Sequence, residues 1–472
     1  MPWRTESRLK SDLDLDRSFQ AFGFVISVPR LARQAKDVLG RGTSFVIAGN
    51  IVVNLARIVS TVALTRLLTA EDFGVVGIVS SILYIAVMLS DVGFQAYVVR
   101  HDEGEQASFL DEVWTLRLIR GAVIAAAIAL LSAPLAHLFG KPALQLVFAV
   151  SGAYLALDAF TSLAFATAAR SGMIRRLTLL DVIPHLLSIP LSIALAYRWR
   201  SYWAIIAAMF FVAALKIFLS YAMFPDAGRR WRLSGERARD LWAFGRYIAG
   251  SSIIQILLSQ IDKVVLARLF PLSQFGLYSL ATNLAQVPAQ VTGNYSSRIL
   301  YPLFARTQRD GPARISDVYY GSGRPLRLLY MLAAGGFIAC APLIIELLYD
   351  DRYLGAVPYL QLLAIVALFS LPVSIASDAL IAVGGVRHFL RLNLVRVAWL
   401  GIAGPGLYAW HGPIGFVVAV VSMQAVGQFY CWWALGQARI LRPIKEFAFL
   451  LTAALGYVAG STINAVGTGL VS

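Results

Sequence analysis

The chain has 472 residues, of which 58% are hydrophobic and 14% charged, with a mean hydropathy of +0.69 and a formal charge of +15. Soluble domains are near one quarter charged and under half apolar, so this composition excludes a soluble globular protein. Apolar runs of about 18 to 25 residues recur along the chain, the length that crosses hydrocarbon as a helix, while the alternating pattern of a membrane barrel is absent.

The chain opens on "MPWRTESRLKSDLDLDRSF", which mixes charges of both signs, and the later apolar patch "FGFVISVP" is too short for a cleavable signal peptide. The segment "PRLARQAKDVLGR", residues 29–41, is basic and weakly amphipathic. A helix lying on the membrane surface and a disordered tail fit it equally well. Thirteen spans then follow: 44–65, 74–99, 113–136, 142–168, 177–197, 202–224, 246–267, 275–300, 327–349, 357–383, 391–410, 413–436 and 447–467. No connection is long enough to hold a second folded domain. Cys340 and Cys431 lie inside apolar segments and read as small core residues.

Lys and Arg fix the expected orientation. The N-terminal tail and the connections on its side of the membrane carry 27 of them, and the opposite side carries 6. This places the N-terminus in the cytoplasm and, with thirteen spans, the C-terminus outside. The positive charge is therefore mainly a topology signal. The basic loops lack interleaved aromatics, which argues against nucleic acid as a partner.

The first span ends in "LTRLLTAEDFG", Leu64–Gly74, and the seventh in "LARLFPLSQFG", Leu266–Gly276. The two phrases match in register at an offset of 202 residues. Six spans separate them, so both point the same way through the bilayer. A parallel repeat places a substrate path between its halves. The expected fold is all-α, with about 12–14 transmembrane helices in two six-helix lobes around a central cavity. The divisions are a head at 1–43, an N-lobe at 44–224, a basic linker at 225–245, a C-lobe at 246–436 and an extra C-terminal segment at 437–472. Within the phrases, Thr69 and Ser273 are suited to N-capping the helices that follow, and the phrases themselves read as structural hairpins.

Polar residues inside the spans fall on helical stripes. Asn50, Asn54, Arg57, Thr61 and Thr65 share one face of the first span, and Ser252, Gln255, Ser259 and Asp262 one face of the seventh. Shifted by 202, the two stripes nearly coincide. The eighth span carries Asn283, Gln286, Gln290 and Asn294, with Arg298 four residues on and Pro288 as a kink site. Arg57 stands out because it sits about 20 Å along its span, where snorkelling is awkward in either direction. Arg298 and Arg396 lie nearer the cytoplasmic ends and suit headgroup anchoring as well as an anion. Asp158, Asp181 with His185, Asp262 with Lys263, and Asp378 are candidates for ion pairs or for a coupling ion. For Ser and Thr, hydrogen-bonding seams between helices are the simpler reading. No metalloprotease, nucleophile-elbow or P-loop motif is present, which argues against hydrolytic or ATP-driven chemistry and against a metal or cofactor.

The residues "LTRLLTAEDFGVVGIVSSI" from Leu64, "SDVGFQAYVVR" from Ser90, "ATAARSGMIRRL" from Ala166 and "SQIDKVVLARLFPLSQFGLYSLA" from Ser259 resemble the polysaccharide flippases (Wzx type) of the multidrug/oligosaccharidyl-lipid/polysaccharide exporter superfamily. The resemblance runs from about residue 44 to 440; the forty-residue head and the odd span count depart from it. It implies a flippase of the bacterial inner membrane, not an enzyme, that moves an undecaprenyl-pyrophosphate-linked glycan by alternating access. The lipid bilayer and polysaccharide polymerase or export machinery would be its partners. Arg57, Arg298 and Arg396 would hold the pyrophosphate, since Arg offers a planar fork of donors. Asn50, Asn54, Gln255, Asn283, Gln286, Gln290 and Asn294 would meet the glycan or line the cavity. The competing readings are an ion-coupled multidrug or small-molecule antiporter of the same superfamily, a membrane glycosyltransferase or ligase acting on the same lipid, and a non-transporting scaffold.

Overall fold

A computed structural model describes residues 41–170, 173–224, 230–296, 300–307, 312–321, 323–384 and 386–471. All regular structure among these residues is helical, and Phe45–Ser472 form one compact unit. Among the described residues, eight helices are long and apolar enough to cross a membrane, or nine if a bent pair counts as one span. The chain is thus a multi-pass helical membrane protein. The head at 1–43 lies outside the described residues except for the first residues of a helix.

The helices of the first half are α1 (Arg41–Thr65), α2 (Ala70–Ser90), α3 (Phe94–Arg100), α4 (Ala107–Leu130), α5 (Ser132–Leu138), α6 (Leu144–Asp158), α7 (Ala164–Arg170), α8 (Ile174–Trp199) and α9 (Trp203–Ala222). Two stretches expected as continuous spans are broken. The run 74–99 divides into α2 and α3 at "DVG": Asp91 Oδ1 accepts the Gly93 N–H at 2.9 Å, and Gly93 adopts φ 73°. This is an Asx-type turn, which competes with the helical hydrogen-bond ladder. The run 142–168 stops as α6 at Asp158 and resumes as α7, with the Ser162 N–H donating to Ser220 Oγ at 3.0 Å.

The second half opens with α10 (Gly235–Leu269), so residues 235–245 of the basic connector are helical. Ser234 caps α10 by accepting from the Arg237 N–H. The Arg237 side chain ties this end to the first half, pairing with Glu103 at 2.8 Å and Glu112 at 3.1 Å and resting on the Phe109 ring. Next come α11 (Leu272–Tyr295), α12 (Tyr301–Thr307), α13 (Pro312–Gly321), α14 (Arg324–Ala339) and α15 (Ala341–Leu348). The connection expected after the eighth span therefore contains two short helices. The ninth span is α14 and α15, bent by 68°.

A 3₁₀ turn at Asp351–Ala356 leads into α16 (Val357–Gly384) and α17 (Val386–Gln437). Gly412, at φ 62°, breaks α17. The two parts run antiparallel: Trp399 Nε1 donates to Ser422 Oγ at 3.0 Å and Arg396 Nη2 to Gln424 Oε1 at 2.8 Å. They correspond to the spans expected at 391–410 and 413–436. The last helix, α18 (Pro443–Val471), packs along α14, where buried Arg327 stands 3.6 Å from Glu446 and lies over the Phe449 ring.

A close seam joins α2 and α11, the helices that follow the two repeated phrases. A Cβ on Gly74 would collide with the Leu272 carbonyl oxygen, and one on Gly276 with that of Ala70. Gly74 and Gly276, like Ala70 and Leu272, are 202 residues apart, so the crossing is reciprocal. Only glycine lets two backbones come this close. Gly276→Val is expected to lower the melting temperature of the detergent-solubilised protein, consistent with an overpacking cost of about 1–3 kcal/mol. Gly401→Ala, on an open helix face, should leave it unchanged or slightly higher; equal effects of the two would contradict the close crossing.

Candidate functional site

The hairpins between α1 and α2 and between α10 and α11 lie at one end of the bundle. The first is a capping box: the Asp72 N–H donates to Thr69 Oγ1, and Asp72 Oδ2 accepts from the Thr69 N–H at 2.9 Å. Asp72 Oδ1 also accepts from the Tyr202 N–H at 2.9 Å, anchoring the hairpin to the start of α9. The second hairpin differs from expectation. Pro271 precedes α11, and Ser273 lies inside its first turn instead of capping it.

A helix ends with carbonyls that have no partner in the next turn and carries partial negative charge there. Here each half of the chain supplies donors to the helix end of the other. Arg352 Nη2 donates to the carbonyls of Thr65 at 3.3 Å and Arg66 at 3.4 Å, and the Tyr353 hydroxyl donates to that of Leu68 at 2.7 Å. In return, Lys141 Nζ donates to the carbonyls of Ala267 at 2.5 Å and Phe270 at 3.3 Å. Thr65 and Ala267 are 202 apart, as are Leu68 and Phe270. Burial, and then the Arg268 charge, press the Lys141 ammonium below the usual lysine range. Hydrogen bonding to Arg352 holds the Asp350 carboxyl below the usual carboxylate range. Leu68, Phe275, Tyr278 and Tyr353 fill the space beneath.

Two polar clefts open among the spans. The smaller, about 60 Å³, is lined by Asn54, Arg57 and Thr61 of α1, Asn283 and Gln286 of α11, and Tyr349. Five of these belong to stripes legible in the sequence; Tyr349, at the end of α15, does not. Among the described residues no carboxylate lies within ion-pair distance of Arg57. Asn50 lies exposed two turns back along α1. The larger cleft, about 460 Å³, includes Gln255, Ser374, Asp378, Arg396 and Gln424 in its lining. Arg57 and Arg396 thus line different cavities. Gln424 was missed because a single Gln in an apolar helix carries no periodic signal.

Several expected charges are engaged elsewhere. Asp158 pairs with Arg117 at 3.4 Å, and Arg117 also donates to the carbonyls of Asp158 and Thr161. Asp181 pairs with Lys216 at 2.8 Å, while His185 Nδ1 lies 2.7 Å from the Asp181 backbone oxygen. Asp262 accepts the Tyr278 hydroxyl at 2.5 Å, and no ion pair joins it to the Lys263 side chain among the described residues. Gln290 and Asn294 lie on α11, but their side chains are outside the described residues, as is Arg298 entirely.

This bundle is that of a multi-pass membrane protein with polar space inside its spans. A family model for polysaccharide biosynthesis proteins matches residues 63–358, and the chain belongs to that family. It is 24% identical over 309 residues to the succinoglycan biosynthesis transport protein ExoT of Rhizobium meliloti (strain 1021), covering 66% of this chain and 62% of that one. It is 25% identical over 337 residues to the lipopolysaccharide biosynthesis protein WzxC of Escherichia coli (strain K12), covering 68% and 65%. The match thus spans less than two thirds of each relative. Among solved structures, the lipid II flippase MurJ in an inward closed conformation superposes with a TM-score of 0.70 at 11% identity, covering 89% of this chain and 93% of that one. An inward-facing multidrug resistance MATE family transporter of the MOP superfamily gives 0.61 at 14% identity, covering 88% and 96%. These likenesses establish the fold.

If the cross-capping holds the hairpin end shut, spin labels at Arg66 and Gln274 should report a single short distance. Lys141→Met combined with Arg352→Met should add a longer one. At about 0.3–1 kcal/mol for each of the two cations at a helix end, the separated population should rise about threefold to thirtyfold. An unchanged distance distribution would assign the contacts no part in closure.

Proposed function

We propose that this protein is a flippase of the bacterial inner membrane. It moves an oligosaccharide linked to undecaprenyl pyrophosphate from the cytoplasmic to the periplasmic leaflet for surface polysaccharide synthesis. The observation that carries this reading is Arg57: a guanidinium deep in its span, without a carboxylate partner among the described residues, in a cleft shared with Asn54, Thr61, Asn283 and Gln286. An unpaired charge inside the membrane is costly, and its retention points to a ligand of opposite sign. A diphosphate supplies that charge, with oxygens in the geometry an Arg fork recognises. The amides are suited to hydroxyls and phosphate oxygens alike.

The mechanism proposed is alternating access between two six-helix lobes, residues 44–224 and 246–436. With the N-terminus in the cytoplasm, the hairpin end is periplasmic, and its cross-capped seam is the closed outer gate. Release requires Lys141, Arg352 and Tyr353 to leave the opposite helix ends together, while the lobes move as rigid bodies about the seam. The lipid tail stays in the bilayer throughout. Family membership and the transporter-type fold support transport over enzymatic transfer to the same lipid. The ion pair between Asp158 and Arg117 leaves that carboxylate committed, which weighs against the antiporter.

The test is a flipping assay in proteoliposomes with a defined lipid-linked oligosaccharide, alongside export in cells lacking the wild-type copy. Arg57→Ala is expected to reduce flipping at least about tenfold, with the protein still folded and inserted. Asp158→Asn in a multidrug efflux assay supplies the contrast. Efflux abolished by that change, with Arg57 dispensable for both activities, would establish the antiporter instead.

A further inference from the structure

The larger cleft has a chemistry that a diphosphate does not match. Arg396 projects between the two antiparallel parts of α17. Its Nη2 donates to Gln424 at 2.8 Å, while its Nε is buried without a hydrogen-bond partner among the described residues. Gly427 makes the room: a Cβ there would stand 2.5 Å from that Nε. No carboxylate among the described residues is within ion-pair distance of Arg396. Yet Asp378 lines the same cavity. One of its oxygens, Oδ2, accepts the Ser296 hydroxyl at 2.5 Å, and no described hydrogen bond occupies the other. Ser377, also in the lining, has a buried hydroxyl with no partner among the described residues.

Opposite charges that share a cavity inside a membrane attract strongly unless something stands between them. These two do not meet, and the space of about 460 Å³ between the walls is of the size that holds small-molecule ligands. Consider what would satisfy both. A diphosphate would suit Arg396 and be repelled by Asp378. An organic cation would suit Asp378 and be repelled by Arg396. A hydroxy acid satisfies both: its carboxylate accepts from the guanidinium, and its hydroxyls donate to Asp378, an acceptor-only group when ionised. Ser374, Ser377, Gln255 and Gln424 provide further donors and acceptors for a polyhydroxylated ring.

We propose that this cleft is a subsite for a sugar residue bearing a carboxylate, distinct from the Arg57 cleft. This rests on the transport reading and narrows its substrate to acidic glycans. Arg396 takes the carboxylate, and Asp378 orients the ring through its hydroxyls. Gln424 holds the guanidinium in place and acts as a positioning residue.

The experiment is a binding titration on the purified full-length protein, followed by tryptophan fluorescence. The probes are a free glucuronate-containing trisaccharide and the same trisaccharide with glucose in place of glucuronate. Wild type is expected to bind the acidic sugar about tenfold or more tightly, the worth of a charge-assisted pair. Arg396→Gln should abolish the difference, and Arg396→Lys should keep part of it, which guards against a folding defect. Asp378→Asn should weaken both sugars, and Arg57→Gln should leave the preference intact. Equal binding by wild type, no binding, or a preference that survives Arg396→Gln would overturn the proposal. The titration needs no translocation. Loss of flipping with the acid preference intact would therefore count against the flippase reading alone, and normal flipping with no acid preference against this subsite alone.

Discussion

The structure depends on how helix ends are satisfied at the hairpin end of the bundle. Four carbonyls at the end of an α-helix have no partner in the next turn, and in a membrane protein water is not always there to supply one. In this chain the carbonyls at the ends of α1 and α10 are completed across the molecule. Arg352 and Tyr353 serve one, and Lys141 serves the other. The two halves are thereby tied by bonds that neither can make alone. The glycine crossing of α2 over α11 reinforces this, because backbones brought within contact distance cannot tilt apart without losing dispersion contacts along the seam. The capped carbonyls and the crossing glycines both occur at positions 202 residues apart.

The same geometry explains why the repeated phrase consists of the residues it does. Its glycines are at the crossing. The conserved register of the leucine preceding each arginine puts Leu64 and Leu266, both buried, under the helix ends. The aromatic before each glycine, Phe73 or Phe275, fills the core beneath the seam. The differences between the copies are equally informative. The first has a carboxylate, Asp72, that caps its own helix and reaches the Tyr202 backbone; the second has Gln274 at the equivalent place and relies on Pro271 to end the preceding turn.

Much of the bundle was legible in the sequence because lipid imposes a simple rule on composition: each crossing must be apolar over about 20 residues. The stripe through Asn54, Arg57 and Thr61 and the amides of α11 were legible for a related reason, since helical spacing alone puts them on shared faces. What was not legible is tertiary. Nothing in the phrase "LTRLLTAEDFG" says that its partner is its own second copy. Arg117 and Asp158 lie 41 residues apart, beyond any helical periodicity, so the pairing could not be read from spacing. Local signals were also overridden. The "DVG" turn sits in an apolar run, and hydropathy averaged over a span hides it, while α12 and α13 are too short for a periodic pattern to emerge.

The fate of the charges within the spans gives the last step. Arg117 has Asp158, Lys216 has Asp181, and Arg327 has Glu446 with aromatic faces around it. Each pair neutralises a charge that lipid would otherwise penalise, and each ties together helices that neighbour one another within a half of the chain. Arg120 has no carboxylate partner among the described residues, but it donates to the Val87 carbonyl and Ser90 Oγ; Arg57 and Arg396 differ. Both lie in clefts, and neither has a carboxylate partner among the described residues. On the proposed reading, the paired charges hold the bundle, and Arg57 and Arg396 meet charge supplied by a ligand. On that reasoning the two clefts differ in what completes them: Arg57 stands among neutral amides and hydroxyls, whereas Arg396 faces a wall that includes Asp378. A ligand that satisfied one would leave the other unmet, so a cargo that used both would need two distinct acidic groups.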